Sequence, residues 1–233
     1  WEPGRNYYPW LCDDPMVPFR YGNYSAIRRA YLPPDYLRDA HRHRIVKAVY
    51  VEAHWDPRDP LAEVAYISGL NKQYGVPNVI VAYADIVADD AEAVLAAHGA
   101  HPLVRGIRSK PTAAPSPAAV QRGAPGSMGD VRWRAGLARL EKNELSLDIQ
   151  TPWWHLAEMA ELAADFPRQR FILNHTGLPA DRTPAGLAGW RAALHKLADQ
   201  SNVSVKISGI GVPGTPWSVA LNRDIVRDTI EAF

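Results

Sequence analysis

Short apolar runs alternate with longer amphipathic stretches along most of this chain. Each run is brief and carries apolar or β-branched side chains at successive positions, as in strands that are buried on both faces. The pattern therefore predicts strands of a parallel sheet. Six of them are predicted, at residues 44–53, 78–86, 103–109, 145–150, 170–175 and 203–209.

The stretches between these runs have helical periodicity, and helices are predicted at residues 61–74, 89–97, 133–142, 155–165, 183–200 and 217–233. Strands that alternate with helices indicate parallel pairing through crossover connections. The pattern alone leaves two α/β architectures open. One is an open doubly wound sheet, and the other is a closed eight-stranded barrel of about 250 residues or more.

The first 43 residues lack this rhythm and are rich in Tyr, Trp and Pro. We expect a long ordered loop with some helix, which is usually functional at such a length. No low-complexity segment interrupts the chain, so residues 1–233 are predicted to form a single domain. The last helix reaches Phe233 without a Gly or Asn cap and the first residue is Trp1, so we expect a fragment of a larger barrel.

Composition excludes several classes of function. The apolar fraction of 47% and charged fraction of 22% are ordinary for a soluble globular protein. The net charge of +1 comes from mixed charges, so no nucleic-acid or membrane partner is expected. The single Cys12 rules out an internal disulfide framework. Without a signal or membrane-spanning segment, a cytoplasmic location is the default expectation.

A G-x-G-x-x-G pattern formed by Gly209, Gly211 and Gly214 follows the sixth predicted strand. In a dinucleotide site the helix begins inside this pattern, so that its amides face the pyrophosphate. Here Pro213 and Pro216 delay the helix. We therefore expect a strand-to-helix loop and no nucleotide cofactor.

An H-x-H pair, His41 and His43, has the spacing of metal ligands in many hydrolases. Such a pair should lie at the end of a strand, whereas this one precedes a strand, in a basic run at a predicted helix end. Cationic side chains are favourable at that end of a helix. We expect both histidines on the surface.

His175 is a stronger candidate, because it ends an apolar strand and is followed by Gly177 and Pro179. The carboxyl-terminal ends of strands carry the chemistry in parallel barrels. A histidine there can be a metal ligand, an acid or base, or an electrophile, although a structural role stays open. Asn174 should point the other way.

Polar side chains end three other predicted strands. Arg108, Gln150, Lys206 and Ser208 would form, with His175, a pocket suited to an oxygen-rich anion. Trp153 lies just after Gln150. Its ring could line this pocket, or it could pack between the barrel and a helix.

Several segments together resemble the amidohydrolase-related family, in the branch that contains sugar-acid lactonases and pyrone-dicarboxylate lactonase. The segments are YPWL at residues 8–11, VYVEA at 49–53, WRAGLARLEKNELSLDIQTPWWHL at 133–156, FILNHTGLP at 171–179, the helix around Trp190, and NVSVKISGIG at 202–211. They cover nearly the whole chain in order.

The resemblance implies a distorted (β/α)8 barrel with about six of its strands present. It implies an H-x-H on the first strand and an aspartate on the eighth, both expected outside residues 1–233, and a middle-strand histidine that corresponds to His175. Arg108 and Lys206 match basic residues that hold the substrate in relatives, and Gln150 matches a polar contact.

The implied activity is opening of a sugar-acid or carboxylated lactone by water, with a small anionic or polyhydroxylated substrate. One divalent metal, zinc, could bind with His175 as its only ligand in this chain. We expect residues 1–233 alone to be inactive. A metal-dependent decarboxylase and a non-catalytic degenerate barrel are the alternatives, and the oligomeric state is left open.

Overall fold

A computed structural model describes residues 1–19 and 22–233. The strands are β1 (Val49–Val51), β2 (Val79–Tyr83), β3 (Val104–Ser109), β4 (Ser146–Ile149), β5 (Phe171–Leu173) and β6 (Val203–Val205). The helices are α1 (Pro9–Cys12), α2 (Pro33–Asp39), α3 (Pro60–Tyr74), α4 (Ala91–Ala100), α5 (Val131–Lys142), α6 (Leu156–Asp165), α7 (Pro184–Ala198) and α8 (Val219–Ala232).

All six strands are parallel, and each pairs with the next along the chain, in the order β1-β2-β3-β4-β5-β6. A doubly wound sheet would reverse its strand order at a switch point, which this sheet does not do. The strands form a curled half-barrel with the helices outside. The prediction of an incomplete barrel of the (β/α)8 type is confirmed, and the open doubly wound alternative is wrong.

The two faces of the sheet differ in burial. Outward side chains pack beneath the helices and form the core, which includes Ile80, Ile107, Leu147 and Leu173. The opposite face lines the concave side and carries most of the polar strand residues. Because one face is buried under helices, the register of the strands is fixed by which side chains must point outward.

The first strand is shorter than its apolar run predicts. Ile45 and Val46 are exposed and precede the paired segment, which starts at Val49. Just before the paired segment, a side chain replaces the strand partner, because the Ala48 N–H donates to Asn78 Oδ1 at 2.7 Å.

Local chemistry explains where the helices begin. Asp59 accepts the Ala62 N–H at 3.1 Å before α3, and Thr183 accepts the Gly186 N–H at 3.1 Å before α7. These side chains satisfy amides that have no partner within the helix.

The segment before β1 contains α1, α2 and irregular structure. Trp10 Nε1 donates to the Ala53 carbonyl at 2.8 Å, which ties the segment to the end of β1. Residues 20 and 21 of this predicted loop lie outside the described residues. Within the described part, none of the helices combines the length and apolar character needed to cross a membrane.

Candidate functional site

The carboxyl ends of the strands form one rim of the half-barrel, and this rim carries all the residues predicted for the site. Arg108 lies on β3, Gln150 follows β4, His175 follows β5, and Lys206 follows β6. Because the strands are parallel and sequential, these positions lie along the same edge.

Arg108 is held by a buried carboxylate at the end of β1. Its Nε donates to Glu52 Oε1 at 2.5 Å, and its Nη2 donates to the Glu52 carbonyl at 2.6 Å. Glu52 is buried, and only 12% of the Arg108 side chain is exposed. The guanidinium is therefore fixed in direction, and Glu52 neutralises its charge.

Glu52 also fixes the next rim residue, His54. Its Oε2 accepts the His54 N–H at 2.7 Å, and the His54 backbone has a φ of 53°. A left-handed conformation is uncommon for a residue with a side chain and persists only where the surroundings enforce it. His54 Nε2 is in contact with Lys110 Nζ.

These groups border a pocket of about 330 Å³ at the ends of β1, β2 and β3, which we call the rim pocket. Its polar lining consists of Glu52, His54, Tyr83, Asp85, Arg108, Ser109 and Lys110. The volume lies near the lower end of the range for small-molecule sites, so the pocket suits one small group.

The electrostatics of the rim pocket set the protonation of two lining residues. Burial favours the neutral form of Glu52, but the charge of Arg108 and the hydrogen bonds from the His54 N–H and from Arg108 outweigh burial and lower the pKa of Glu52. Desolvation lowers the pKa of His54, and the neighbouring Lys110 and Arg108 lower it further against the opposing effect of Glu52. Glu52 is thus ionised and His54 neutral near pH 7.

A second ion pair lies inside the concave face, between Lys206 and Asp148 of β4. Asp148 is fully buried, and its Oδ2 also accepts from Asn174 Nδ2 at 3.1 Å. Lys206 keeps 34% of its side chain exposed. The ammonium is therefore both anchored and open to the rim.

His175 lies in a left-handed turn that follows β5. The turn comprises four consecutive residues with positive φ, 58° at His175, 49° at Thr176, 71° at Gly177 and 55° at Leu178. Such a conformation costs roughly 1–2 kcal/mol for each residue with a side chain. Trp190 supports the turn, because its Nε1 donates to the Thr176 carbonyl at 2.7 Å.

The imidazole of His175 is oriented by the extension of β6. Its Nδ1 lies 2.8 Å from Ser208 Oγ, and the Thr176 N–H donates to the Lys206 carbonyl at 3.1 Å. A Cβ on Gly209 would come within 2.7 Å of the imidazole Cγ. The absence of a side chain at Gly209 therefore leaves room for the imidazole of His175. This packing explains the first glycine of the G-x-G-x-x-G pattern without a nucleotide.

Gln150 lies directly after β4, and Trp153 lies in the turn that follows. Gln150 is partly buried at the rim. The ring of Trp153 reaches α7, where a Cβ on Gly189 would come within 2.6 Å of it. This is the packing between barrel and helix that the sequence left open, and a substrate contact for either residue stays a prediction.

The loop between β3 and α5, residues 110–130, begins at Lys110 of the rim pocket and is tied down near α6. His155 Nε2 accepts the Ala114 N–H at 2.8 Å, and His155 Nδ1 lies 3.0 Å from Glu158 Oε2. Glu158 Oε1 accepts the Gly129 N–H at 2.7 Å. His155 and Glu158 thus clamp both ends of the loop.

Glu63 of α3 supports the end of β1 from behind. Its Oε1 accepts from Tyr50 Oη at 2.7 Å and from the Ala53 N–H at 2.8 Å. Its buried Oε2 has no hydrogen-bond partner among the described residues. Burial raises the pKa of Glu63.

The two predicted cations, Arg108 and Lys206, are paired with Glu52 and Asp148, and the sequence analysis did not identify these acids. It also did not identify His54 and Lys110 as site residues. A signal existed, because each acid interrupts an apolar strand. A carboxylate buried in a strand needs a compensating cation. The partners lie far apart in sequence, with 56 positions between Glu52 and Arg108 and 58 between Asp148 and Lys206. Only the barrel geometry therefore identifies them.

The residues present do not fit a metal centre. A catalytic zinc usually has three protein ligands. Among residues 1–19 and 22–233, no three His, Cys, Asp or Glu side chains come together in a way that could hold a metal ion. His41 and His43 are exposed after α2, with His41 Nδ1 2.8 Å from the Arg38 carbonyl, as expected for surface residues.

Comparison with known proteins gives one family and two sequence relatives. A family model described as amidohydrolase matches residues 5–233. An uncharacterized protein, y4mH, of Sinorhizobium fredii is 37% identical over 233 residues, which are all of this chain and 78% of that protein. An L-fucono-1,5-lactonase of Burkholderia multivorans is 31% identical over 102 residues, 42% of this chain and 34% of that enzyme.

Solved structures share the fold. The chain resembles an amidohydrolase from Burkholderia multivorans crystallised with bound HEPES, with a TM-score of 0.73 and 24% identity, over 97% of this chain and 75% of that one. A second crystal form with bound zinc gives a TM-score of 0.72 and 24% identity, over 92% and 77%. At this identity the likeness establishes the half-barrel architecture alone.

Proposed function

The chain belongs to the amidohydrolase family, and from that premise we propose that this hydrolase opens a lactone ring by water attack at the rim of its half-barrel. The lactone as substrate is supported by the segment that is 31% identical to an L-fucono-1,5-lactonase. It is also supported by the polar groups along the rim.

One observation carries the proposal, the left-handed turn of His175. Strained backbone persists where the fold over-determines it and is concentrated at functional sites. Here four residues in succession have positive φ, and the buried Trp190 supports them.

We assign His175 the role of electrophile toward the lactone carbonyl. Ser208 engages Nδ1, so Nε2 is the nitrogen that we assign to the carbonyl oxygen. A donor aimed at a developing oxyanion is worth about 10²–10³ in rate. This role needs a fixed ring, which Gly209 permits by its lack of a side chain.

Lys206 and Arg108 bind and orient the substrate in this proposal. Lys206, with 34% of its side chain exposed, is better placed to meet a substrate than Arg108, with 12% exposed. Their carboxylate partners hold each cation in one direction, which lowers the conformational cost of binding. Gln150 and Trp153 would add contacts at the end of β4.

We assign no general base within residues 1–233. The family resemblance places that role on an aspartate of an eighth strand. Because the described residues do not fit a metal centre, no step is routed through a metal.

The proposal is tested with the full-length protein, which is assayed for acid release from a panel of sugar-acid and carboxylated lactones, with carbon dioxide release measured in parallel. His175→Ala should lower kcat at least ~100-fold with the fold intact, because it removes a group that acts on the reacting carbonyl. His195→Ala, at an exposed position on α7, is the matched control and should leave kcat unchanged.

Carbon dioxide release without acid release from any lactone would contradict the proposal. So would a loss of tenfold or less in His175→Ala, which would assign the histidine a structural role.

A further inference from the structure

The rim pocket contains charges of both signs in equal number. Glu52 and Asp85 are acidic, and Arg108 and Lys110 are basic. Glu52 is paired with Arg108, and the other polar side chains that line the pocket and can meet a ligand are Asp85, Lys110, Tyr83, His54 and Ser109.

This composition is unfavourable for a second carboxylate. An anion drawn toward Lys110 would also meet Asp85 in the same small pocket, where the charge of Arg108 is already balanced by Glu52. Like charges at close range disfavour each other, and the partly enclosed pocket screens them less than open water does.

The composition favours hydroxyl groups. A hydroxyl donates one hydrogen bond and accepts others, so a vicinal diol can donate to Asp85 while it accepts from Lys110. The Tyr83 phenol can do both. Desolvation raises the pKa of Tyr83, with further contributions from Asp85 and Glu52, so the phenol keeps its proton.

His54 directs the ammonium of Lys110. Its Nε2 contacts Lys110 Nζ, and a neutral imidazole accepts a hydrogen bond at that nitrogen. Glu52 fixes the His54 backbone in its left-handed conformation, so the direction of the contact is built into the end of β1.

We propose that the rim pocket binds the hydroxyl-bearing part of the substrate, so that the lactone is polyhydroxylated and carries at most one carboxylate. The inference rests on the proposed function for its choice of lactone, but the binding of hydroxyls to the pocket can be measured without turnover.

The test measures binding by isothermal titration calorimetry with two probes. D-gluconate carries one carboxylate and several hydroxyls, and glutarate carries two carboxylates and no hydroxyl. Asp85→Asn and Lys110→Met should each weaken gluconate binding about tenfold to a hundredfold, as expected for the loss of one hydrogen bond to a charged group. Asp85→Asn should strengthen glutarate binding, because it removes a repulsive charge.

The control variants are Asp89→Asn, in the same loop as Asp85, and Lys72→Met, on α3; both positions are exposed. Neither should change the affinity for gluconate. Asp85→Asn keeps the oxygen that accepts the Val87 N–H at 3.0 Å, so the loop should keep its conformation.

The inference is overturned if gluconate does not bind, if glutarate binds more tightly than gluconate, or if Asp85→Asn leaves gluconate binding unchanged. The lactone assay separates this failure from failure of the proposed function. Gluconate binding that depends on Asp85, in an enzyme that opens no lactone, would refute the proposed function and leave the pocket assignment standing.

Discussion

Lys206 and Asp148 form an ion pair in which the carboxylate is fully buried while the ammonium keeps a third of its side chain exposed. The two partners therefore respond differently to loss of the other. An unpaired Lys206 can turn toward water, whereas an unpaired Asp148 remains enclosed by the protein without its compensating cation.

Lys206→Met should lower the free energy of unfolding by about 3–5 kcal/mol, because it leaves a buried charge without its partner. Asp148→Asn should cost less, about 1–2 kcal/mol, through an imperfectly satisfied amide. Urea unfolding of both variants at pH 7 measures the difference. A larger cost for Asp148→Asn would contradict the stated asymmetry.

Gly209→Ala tests how tightly the fold positions His175. Both Gly209 and Gly214 have positive φ, 60° and 69°, but only a Cβ at Gly209 meets the imidazole, and nothing lies within 4 Å of one at Gly214. Both variants should lose similar backbone stability. Only Gly209→Ala should also lower kcat, by about tenfold or more, since it displaces the ring.

Gly214→Ala thus serves as the control for strain. Equal kcat values in the two variants, with folding confirmed by circular dichroism, would mean that the contact with Gly209 does not set the position of the ring.

Glu63 should make the protein less stable as the pH rises. Burial raises its pKa in the folded state, so between the unfolded pKa and the higher folded pKa the folded protein binds more protons than the unfolded chain. The stabilising contribution of protonated Glu63 is complete below the unfolded pKa and is lost as the pH rises through the folded pKa.

Glu63→Gln removes this titration and keeps an oxygen for Tyr50 and Ala53. Urea unfolding from pH 4 to pH 8 should show that the stability of wild type relative to Glu63→Gln declines with rising pH. A constant difference, or one that grows, would contradict the assignment.

His155→Ala should loosen the loop of residues 110–130. The variant removes the acceptor for the Ala114 N–H and the contact with Glu158. Arg122 is exposed within this loop, so trypsin cleavage after it reports loop opening. Loss of one or two hydrogen bonds, each worth about 1 kcal/mol, should speed cleavage about fivefold to thirtyfold.

His155→Gln offers an acceptor near the position of Nε2 and should restore part of the protection. Cleavage after Arg122 at the wild-type rate in His155→Ala would show that other contacts hold the loop.

The sequence predicted the elements well because periodicity is a local property. All six strands and the six helices from α3 onward were predicted within a few residues, and His175, Arg108 and Lys206 lie on the rim as expected. The ends of β1 were less well predicted, because apolar residues such as Val46 extend beyond the paired segment.

The partners of the site residues could not be predicted in the same way. Whether Arg108 meets a substrate or Glu52 depends on how far the sheet curls, which no local pattern specifies. The left-handed turn of His175 is supported by Trp190 and Ser208, which are distant in sequence, so the local pattern did not predict it.

Both buried ion pairs reach over an intervening strand. Arg108 of β3 passes β2 to meet Glu52 beyond β1, and Lys206 beyond β6 passes β5 to meet Asp148 of β4. Strands two apart in a sheet are about 9–10 Å from each other, a distance that a long basic side chain and an acidic side chain span together. Each pair therefore links three neighbouring strands through side chains, and the same contact fixes the direction of a cation at the rim.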